Sequence, residues 1–148
     1  NALQKQNLAY QKLIVKPTAL NCILWNANVA TVKGYYLADY SFFDSQPIRF
    51  RFYAKNHDFE GKLTNSPDFH RLQNISEGWY LVTEQNNRIY FNDLRFGLLN
   101  DSPENPQFAF SYQMIPMSDG IYWAEETPKA KRDGKALLQK IFTRIKGN

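Results

Sequence analysis

Residues 88–97 read RIYFNDLRFG, and their alternating apolar side chains predict a β-strand. Side chains two residues apart on a strand share a face, so Asp93 and Arg95 point the same way as Ile89 and Phe91. A charge buried alone on an apolar face would cost several kcal/mol, so each charge needs a partner. We expect the two charges to pair with each other or to cap backbone groups and so fix the strand register. Binding of an anionic ligand by Arg95 is the alternative.

Strand patterns on both sides of this stretch predict hairpins. Residues 79–84 precede it and connect to it across residues 85–87. A second predicted hairpin joins residues 20–32 and 35–43 near Lys33 and Gly34. Further strands are predicted over residues 107–115 and 121–125.

The clearest alternation lies in residues 48–54, IRFRFYA. The period of two predicts a strand with one buried face and one solvated face. The predicted buried side chains are Ile48, Phe50, Phe52 and Ala54, and the predicted solvated ones are Arg49, Arg51 and Tyr53.

Three segments have helical patterns. Residues 2–14 have apolar side chains at helical spacing and precede Pro17. Residues 66–74 begin with Ser66 as a cap and Pro67 at the first helical position. Residues 134–146 have the pattern of an amphipathic helix. Together these patterns predict an α+β fold: a mostly antiparallel, curved sheet of about six strands with an N-terminal, a short middle and a C-terminal helix. The length of 148 residues predicts a single soluble domain.

Composition excludes several classes of protein. The lone cysteine, Cys22, rules out a disulfide framework and a cysteine-based zinc site. No apolar run approaches the ~20 residues of a membrane-spanning helix. The net charge of +4 is modest, and the basic residues concentrated near the C-terminus are typical of a solvated helix face. Because the sequence begins with Asn1 and not Met, we expect a fragment of a longer protein.

Motifs for autonomous catalysis are absent from the sequence. His57 and His70 lie in separate segments without a second histidine at helical spacing, and no HExxH, GxSxG or phosphate-binding glycine loop occurs. Cys22 alternates with Leu20 and Leu24, as a small core residue would. Arg49, Arg51 and Tyr53 lack the pattern of an RNA-binding sheet, so we do not expect nucleic acid as a partner.

Several fragments occur in an order that resembles a known family. They are Pro17-Thr18-Ala19-Leu20-Asn21, Leu24-Trp25, Gly34-Tyr35-Tyr36, Tyr40-Ser41 with Asp44, and Asp93-Leu94-Arg95 with Gly97. Between roughly residues 15 and 100 the chain resembles the region that follows the membrane part of the YdjM-like (DUF457) family. These are bacterial inner-membrane proteins described as metal-dependent hydrolases.

The resemblance implies an accessory role for this chain. In that family the hydrophobic N-terminal part carries the membrane spans and the histidine and aspartate residues assigned to the metal, and neither is found here. The chain would then be the soluble C-terminal domain, with no cofactor of its own and a divalent metal held in the membrane part. Its partners would be its own membrane-spanning region and a small-molecule or lipid-like substrate. The single cysteine and lysine-rich end favour the cytoplasmic side of the inner membrane.

The resemblance and the inward charge pair together give a set of candidate ligand-binding residues. In this hypothesis Arg95 holds an anion, Asp93 orients Arg95, and Trp25 stacks on the substrate. The full set is Asn21, Trp25, Tyr40, Asp93 and Arg95. No catalytic or metal-binding residue is predicted.

Two other functions remain open from the sequence. A curved sheet lined by aromatic side chains can enclose an apolar pocket, so a free-standing small-ligand binding module is the main alternative. The basic C-terminal segment could instead contact RNA or a membrane surface, which would make binding strongly dependent on salt.

Overall fold

The computed structural model describes residues 2–17, 23–100, 104–127 and 134–147. The chain divides into two compact units, which we describe separately: unit 1 comprises Asn1–Ala54 with Lys129–Asn148, and unit 2 comprises Lys55–Pro128. Each unit contains a four-stranded antiparallel sheet. The predicted α+β class is confirmed, but the prediction of one six-stranded sheet is wrong. The expectation of a single domain stays a prediction.

The helical segment between the two sets of strands explains why two sheets form. Residues 57–75 contain two helices in succession, and among the described residues every strand pairs only with its neighbours along the chain. Strands joined by short turns pair at little entropic cost, which favours local pairing on each side of the helical segment.

Unit 1 has the strand order β1-β2-β3-β4. Its elements are α1 (Ala2–Lys5), β1 (Lys12–Pro17), β2 (Leu24–Ala30), β3 (Gly34–Ser41), β4 (Arg51–Ala54) and, after unit 2 in the chain, the last helix (Gly134–Ile145). Gly34 is required where β3 begins, because a Cβ there would lie 2.2 Å from the carbonyl oxygen of Tyr53 on β4. The β2–β3 hairpin and the C-terminal helix are confirmed.

The N-terminal helix is much shorter than predicted. It ends at Lys5, Asn7 has a φ of 53°, and residues Lys12–Pro17 form β1 where the sequence pattern predicted the end of a helix. β1 pairs with β2 from Lys12 opposite Ala30 to Pro17 opposite Trp25. Backbone pairing with β2 therefore outweighs the weak helical pattern, and Pro17 ends a strand.

The two faces of residues 51–54 are the reverse of the prediction, whereas Ile48 and Phe50 are half-buried and Arg49 is exposed, as predicted. The strand begins only at Arg51, Phe52 is 46% exposed, and Tyr53 is 7% exposed. Tyr53 lies opposite Tyr35, which is also buried, and Phe52 lies opposite Tyr36. The register with β3 thus decides which face of β4 is buried, and alternation within the strand cannot reveal it.

Unit 2 places two helices before its four strands. Its elements are α2 (His57–Leu63), α3 (Pro67–Ile75), β5 (Tyr80–Gln85), β6 (Arg88–Leu98), β7 (Phe108–Pro116) and β8 (Tyr122–Glu126), in the sheet order β5-β6-β7-β8. The last helix of unit 1 is accordingly α4. The predicted helix over residues 66–74 and the hairpin over residues 85–87 are confirmed. In the β5–β6 turn, Asn86 and Asn87 adopt positive φ values of 52° and 59°, which asparagine tolerates.

The sequence analysis missed α2. Its sequence, HDFEGKL, contains a glycine and no obvious apolar stripe. The Asn56 side chain caps it by accepting a hydrogen bond from the backbone N–H of Phe59 at 3.3 Å. Leu63, fully buried, anchors its end.

The core of unit 2 lies between the helices and one face of the sheet. The buried cluster consists of Leu63, Phe69, Leu72, Val82, Ile89, Phe91 and Met114. Phe91 is its centre: its ring stacks on Tyr80 at 4.9 Å between centroids and meets Phe69 edge-on at 6.0 Å. Such aromatic pairs add about 0.5–1.5 kcal/mol beyond the burial of apolar area.

Side chains at the start of α3 accept hydrogen bonds from backbone N–H groups on the outer edge of β8. The backbone N–H of Tyr122 donates to Ser66 Oγ at 2.8 Å, and that of Ala124 donates to Asp68 Oδ2 at 2.9 Å. Asp68 also pairs with Arg71 at 3.0 Å. These hydrogen bonds hold α3 to the sheet and occupy donors that an edge strand would otherwise leave free.

Replacing Ser66 by alanine tests this contact. Ser66 is fully buried and makes no side-chain cap bond within α3, so its loss removes the partner of the Tyr122 N–H. We expect the free energy of unfolding, measured in urea, to fall by about 1–3 kcal/mol. Ser118→Ala, at an exposed turn position, is the control and should leave it unchanged. Equal values for the two variants would show that the edge contact contributes no stability.

Burial disfavours the ionised form of the Glu60 carboxyl on α2. Burial raises the pKa of its carboxyl above the ordinary value, and nearby His57 and Lys55 lower it only in part. Its side chain is 19% exposed, and the closest approach to His57 is 3.9 Å. A carboxyl whose pKa is raised by folding contributes stability below its unfolded pKa, and this contribution is lost as the pH rises through the folded pKa.

The variant Glu60→Gln should therefore be more stable than the parent at pH 7. Its advantage in the free energy of unfolding should disappear below about pH 4, where the unfolded-state carboxyl becomes protonated. Urea unfolding at several pH values measures this difference. Glu125→Gln, which removes an exposed carboxylate, is the matched control. An advantage of the same size at every pH would contradict the role of Glu60.

Candidate functional site

Asp93 and Arg95 pair with each other at the middle of β6. The Asp93 side chain is 7% exposed and the Arg95 side chain 15% exposed. Arg95 donates from Nη2 to Asp93 Oδ2 at 2.8 Å and from Nε to Oδ1 at 3.1 Å, and its backbone N–H donates to Oδ1 at 2.9 Å. The carboxylate is thus satisfied by both the guanidinium and the backbone two residues ahead.

A third charge completes this cluster. Arg95 Nη1 lies 3.2 Å from Glu77 Oε1, whose side chain is 70% exposed. The guanidinium also lies 5.3 Å from the centre of the Phe96 ring. The hydrogen bond to Asp93, more than any other contact, raises the pKa of Arg95 above its ordinary value. Arg95 therefore has a carboxylate at each end of its guanidinium.

The pair sits where β6 leaves its register with β7. Asp93 lies opposite Phe110 and Leu98 lies opposite Phe108, so residues 94–97 of β6 face only residue 109. Gly97 has a φ of 75° within this bulge, a conformation that favours glycine. The bond from the Arg95 N–H to Asp93 holds the chain at the point where the bulge begins.

This geometry matches the pairing expected from the sequence. An anion that bound Arg95 would compete with the carboxylates of Asp93 and Glu77 for the same N–H groups. The ligand-binding role of Asp93 and Arg95 stays a prediction.

Trp25 and Tyr40 also come together, in unit 1. They lie directly opposite each other in the β2–β3 pairing, and both are half-buried. The Phe42 ring packs near both rings, with its centroid 6.3 Å from that of Trp25 and 6.1 Å from that of Tyr40. The structure thus groups four of the five predicted site residues into two pairs, one in each unit. Asn21, like Cys22, lies outside the described residues.

These two aromatic residues belong to a larger apolar surface that the sequence did not reveal. The register of β1 to β4 puts one set of side chains on a common face, which we call the apolar face of unit 1: Leu13, Val15, Pro17, Trp25, Ala27, Val29, Tyr36, Ala38, Tyr40 and Phe52. Its members Leu13, Val15 and Phe52 are 39%, 51% and 46% exposed, and adjacent Phe42 is 60% exposed. The signal in the sequence was the alternation of Leu13 and Val15, hidden by the helical reading of residues 2–14.

A second ion pair holds α4 to the end of β3. Arg144 donates two hydrogen bonds to the Asp44 carboxylate, from Nη1 to Oδ1 at 2.5 Å and from Nη2 to Oδ2 at 2.7 Å. Its Nη2 also donates to the carbonyl oxygen of Asp39 at 2.9 Å. Ser41 Oγ donates to the carbonyl oxygen of Ile145 at 2.6 Å. The Asp44 side chain is 4% exposed, so this pair has a structural role in unit 1.

Neither histidine is part of a metal site in the described ranges. His70 contacts the carbonyl oxygen of Thr64 at 2.7 Å and Gln73 Oε1 at 3.1 Å. Among the residues that the structure describes, no three histidine, cysteine, aspartate or glutamate side chains are grouped as metal ligands. No helix in this part of the chain is long and apolar enough to cross a membrane.

Comparisons with models of protein families, with curated proteins and with solved structures found no match to this chain. The family resemblance described above therefore stays a prediction.

Removing the Arg95 guanidinium should destabilise the fold. In Arg95→Met the Asp93 carboxylate loses its charged partner while remaining buried, and we expect the free energy of unfolding to fall by about 3 kcal/mol. Glu77→Gln is the matched control, because an exposed partner contributes less than about 1 kcal/mol. Chemical denaturation measures both. If the Arg95→Met protein is as stable as the parent, the Asp93–Arg95 pair does not stabilise the fold.

Proposed function

We propose that this chain is an extramembrane, accessory domain of a membrane-bound hydrolase and that the apolar face of unit 1 lies against the lipid surface. The link to a hydrolase rests on the ordered sequence fragments that resemble the YdjM-like family. The contact with lipid is supported by one structural observation: the apolar face contains large side chains that are more than one-third exposed, Leu13, Val15 and Phe52.

The composition of this face fits the interface between lipid and water. It combines aliphatic side chains with Trp25, Tyr36 and Tyr40, and tryptophan and tyrosine are enriched where lipid headgroups meet acyl chains. Their rings bury apolar area while their polar groups stay hydrated. An exposed apolar surface of this kind marks a contact with a partner or a membrane.

Charge near the face favours anionic lipids. Lys12 and Lys16 alternate with Leu13 and Val15 along β1, the strand at the edge of the sheet, so the two lysines point to the other face of that sheet. Each lysine near an anionic membrane surface contributes about 1 kcal/mol of attraction. In this proposal the aliphatic and aromatic side chains enter the headgroup region on the cytoplasmic side of the inner membrane, and the two lysines attract the anionic surface from the edge of the sheet without direct contact.

Sedimentation with lipid vesicles tests the proposal. The chain should bind vesicles that contain phosphatidylglycerol more tightly than vesicles of phosphatidylcholine alone, and added salt should weaken the binding. The double variant Val15→Ser with Phe42→Ser should bind roughly tenfold more weakly, since it removes two exposed apolar side chains.

A matched control removes two comparably exposed apolar side chains from unit 2. Ile75 and Met117 are 54% and 48% exposed, and Ile75→Ser with Met117→Ser should leave vesicle binding unchanged. Equal losses in the two double variants, or no binding to either vesicle, would contradict the membrane contact. The hydrolase part is tested separately: it requires membrane spans to be encoded upstream of Asn1, and an upstream sequence without them would overturn it.

A further inference from the structure

Unit 2 contains a groove that the proposed function does not use. It has a volume of about 410 Å³ and is lined by residues of α2, of the β5–β6 turn and of the strands β5, β6, β7 and β8. Small-molecule sites commonly measure about 300–1,000 Å³. The groove shares no residue with the apolar face of unit 1, so an inference about it is independent of membrane binding.

The floor of the groove is apolar. Ile89 and Met114, which lie opposite each other on β6 and β7, are 8% and 1% exposed and belong to the core of unit 2. Phe59 from α2 and Tyr122 from β8 line the groove and pack against the same core cluster. A ligand in the groove would therefore contact the half-buried rings of Phe59 and Tyr122, which lie next to this core.

Two cations and one carboxylate lie around this floor. Lys62 Nζ is 4.9 Å from the centre of the Phe59 ring, which places one cation beside the apolar surface. Within the described ranges, neither Lys62 nor Arg88 forms an ion pair. Glu84 Oε1 accepts the backbone N–H of Asn87 at 3.0 Å, a bond that braces the β5–β6 turn.

The charges define the class of ligand. Lys62 and Arg88 contribute two positive charges and Glu84 one negative charge, which leaves one net positive charge at the groove. That balance matches a singly charged anion better than a phosphate dianion. A guanidinium offers paired N–H groups to a carboxylate, and the apolar floor suits a hydrocarbon chain.

We propose that unit 2 binds a carboxylate that carries a short aliphatic tail. The carboxylate lies between Lys62 and Arg88, and the tail lies against the half-buried rings of Phe59 and Tyr122, next to Ile89 and Met114. Both cations are exposed, so their replacement leaves the core intact.

The test is a titration of the whole chain with sodium octanoate below its micelle concentration, followed by backbone amide chemical shifts in NMR. Saturable shifts should appear at Ile89 and Met114. Acetate has the charge without the tail, and octanol has a tail without the charge. Each should bind at least about tenfold more weakly than octanoate, since a charge-assisted hydrogen bond or a buried chain is lost.

Substitutions of Lys62 and Arg88 test whether these two side chains hold the carboxylate. Arg88→Gln and Lys62→Gln should each raise the octanoate Kd about tenfold. Lys33→Gln, an exposed lysine of unit 1, is the control and should not change it. The amide spectrum of each variant reports directly whether the fold is retained.

Three results would overturn the proposal. Acetate that binds as tightly as octanoate would mean that the floor makes no contribution. If inorganic phosphate binds as tightly as octanoate, a carboxylate is not the group that the two cations recognise. An unchanged octanoate Kd in both Arg88→Gln and Lys62→Gln would show that the cations do not hold the carboxylate.

Discussion

The buried carboxylate of Asp93 is the constraint on which unit 2 depends most. It is satisfied by the guanidinium and the backbone N–H of Arg95, two residues ahead on the same strand. Because one residue provides both partners, the charge can be neutralised only if the chain keeps its shape at this point. Beyond it, β6 leaves its register with β7 and passes through Gly97 at positive φ. The ion pair therefore determines where regular pairing ends.

Local patterns in the sequence predicted most of unit 2. The β5–β6 hairpin carries an asparagine turn, and α3 carries a Ser-Pro start, so each signal lies within the element itself. Predictions failed where pairing between strands decides the outcome. β1 becomes a strand because β2 lies beside it, and the buried face of β4 follows from its register with β3. Such information is distributed over segments that are distant in the sequence.

The candidate sites follow the same division. The pairing of Asp93 with Arg95 was foreseeable because two charges on one strand face need partners, and they are nearest to each other. The alternation of Leu13 and Val15 was the only local signal of the apolar face of unit 1, and the groove of unit 2 had none. The face requires three strand registers, and the groove combines residues of α2, which the sequence analysis missed, with residues of four strands. Surfaces assembled from several elements are visible only after the elements have been placed.

The position of β1 at the edge of its sheet has a consequence for self-association. One side of this strand pairs with β2, and the other side ends the sheet, where a strand from a second copy could add. Lys12 and Lys16 would then meet the lysines of that copy, and Pro17 offers no N–H for pairing. Coulomb repulsion thus helps to keep chains apart. Because dissolved ions screen repulsion between exposed charges, this protection against aggregation weakens as ionic strength rises.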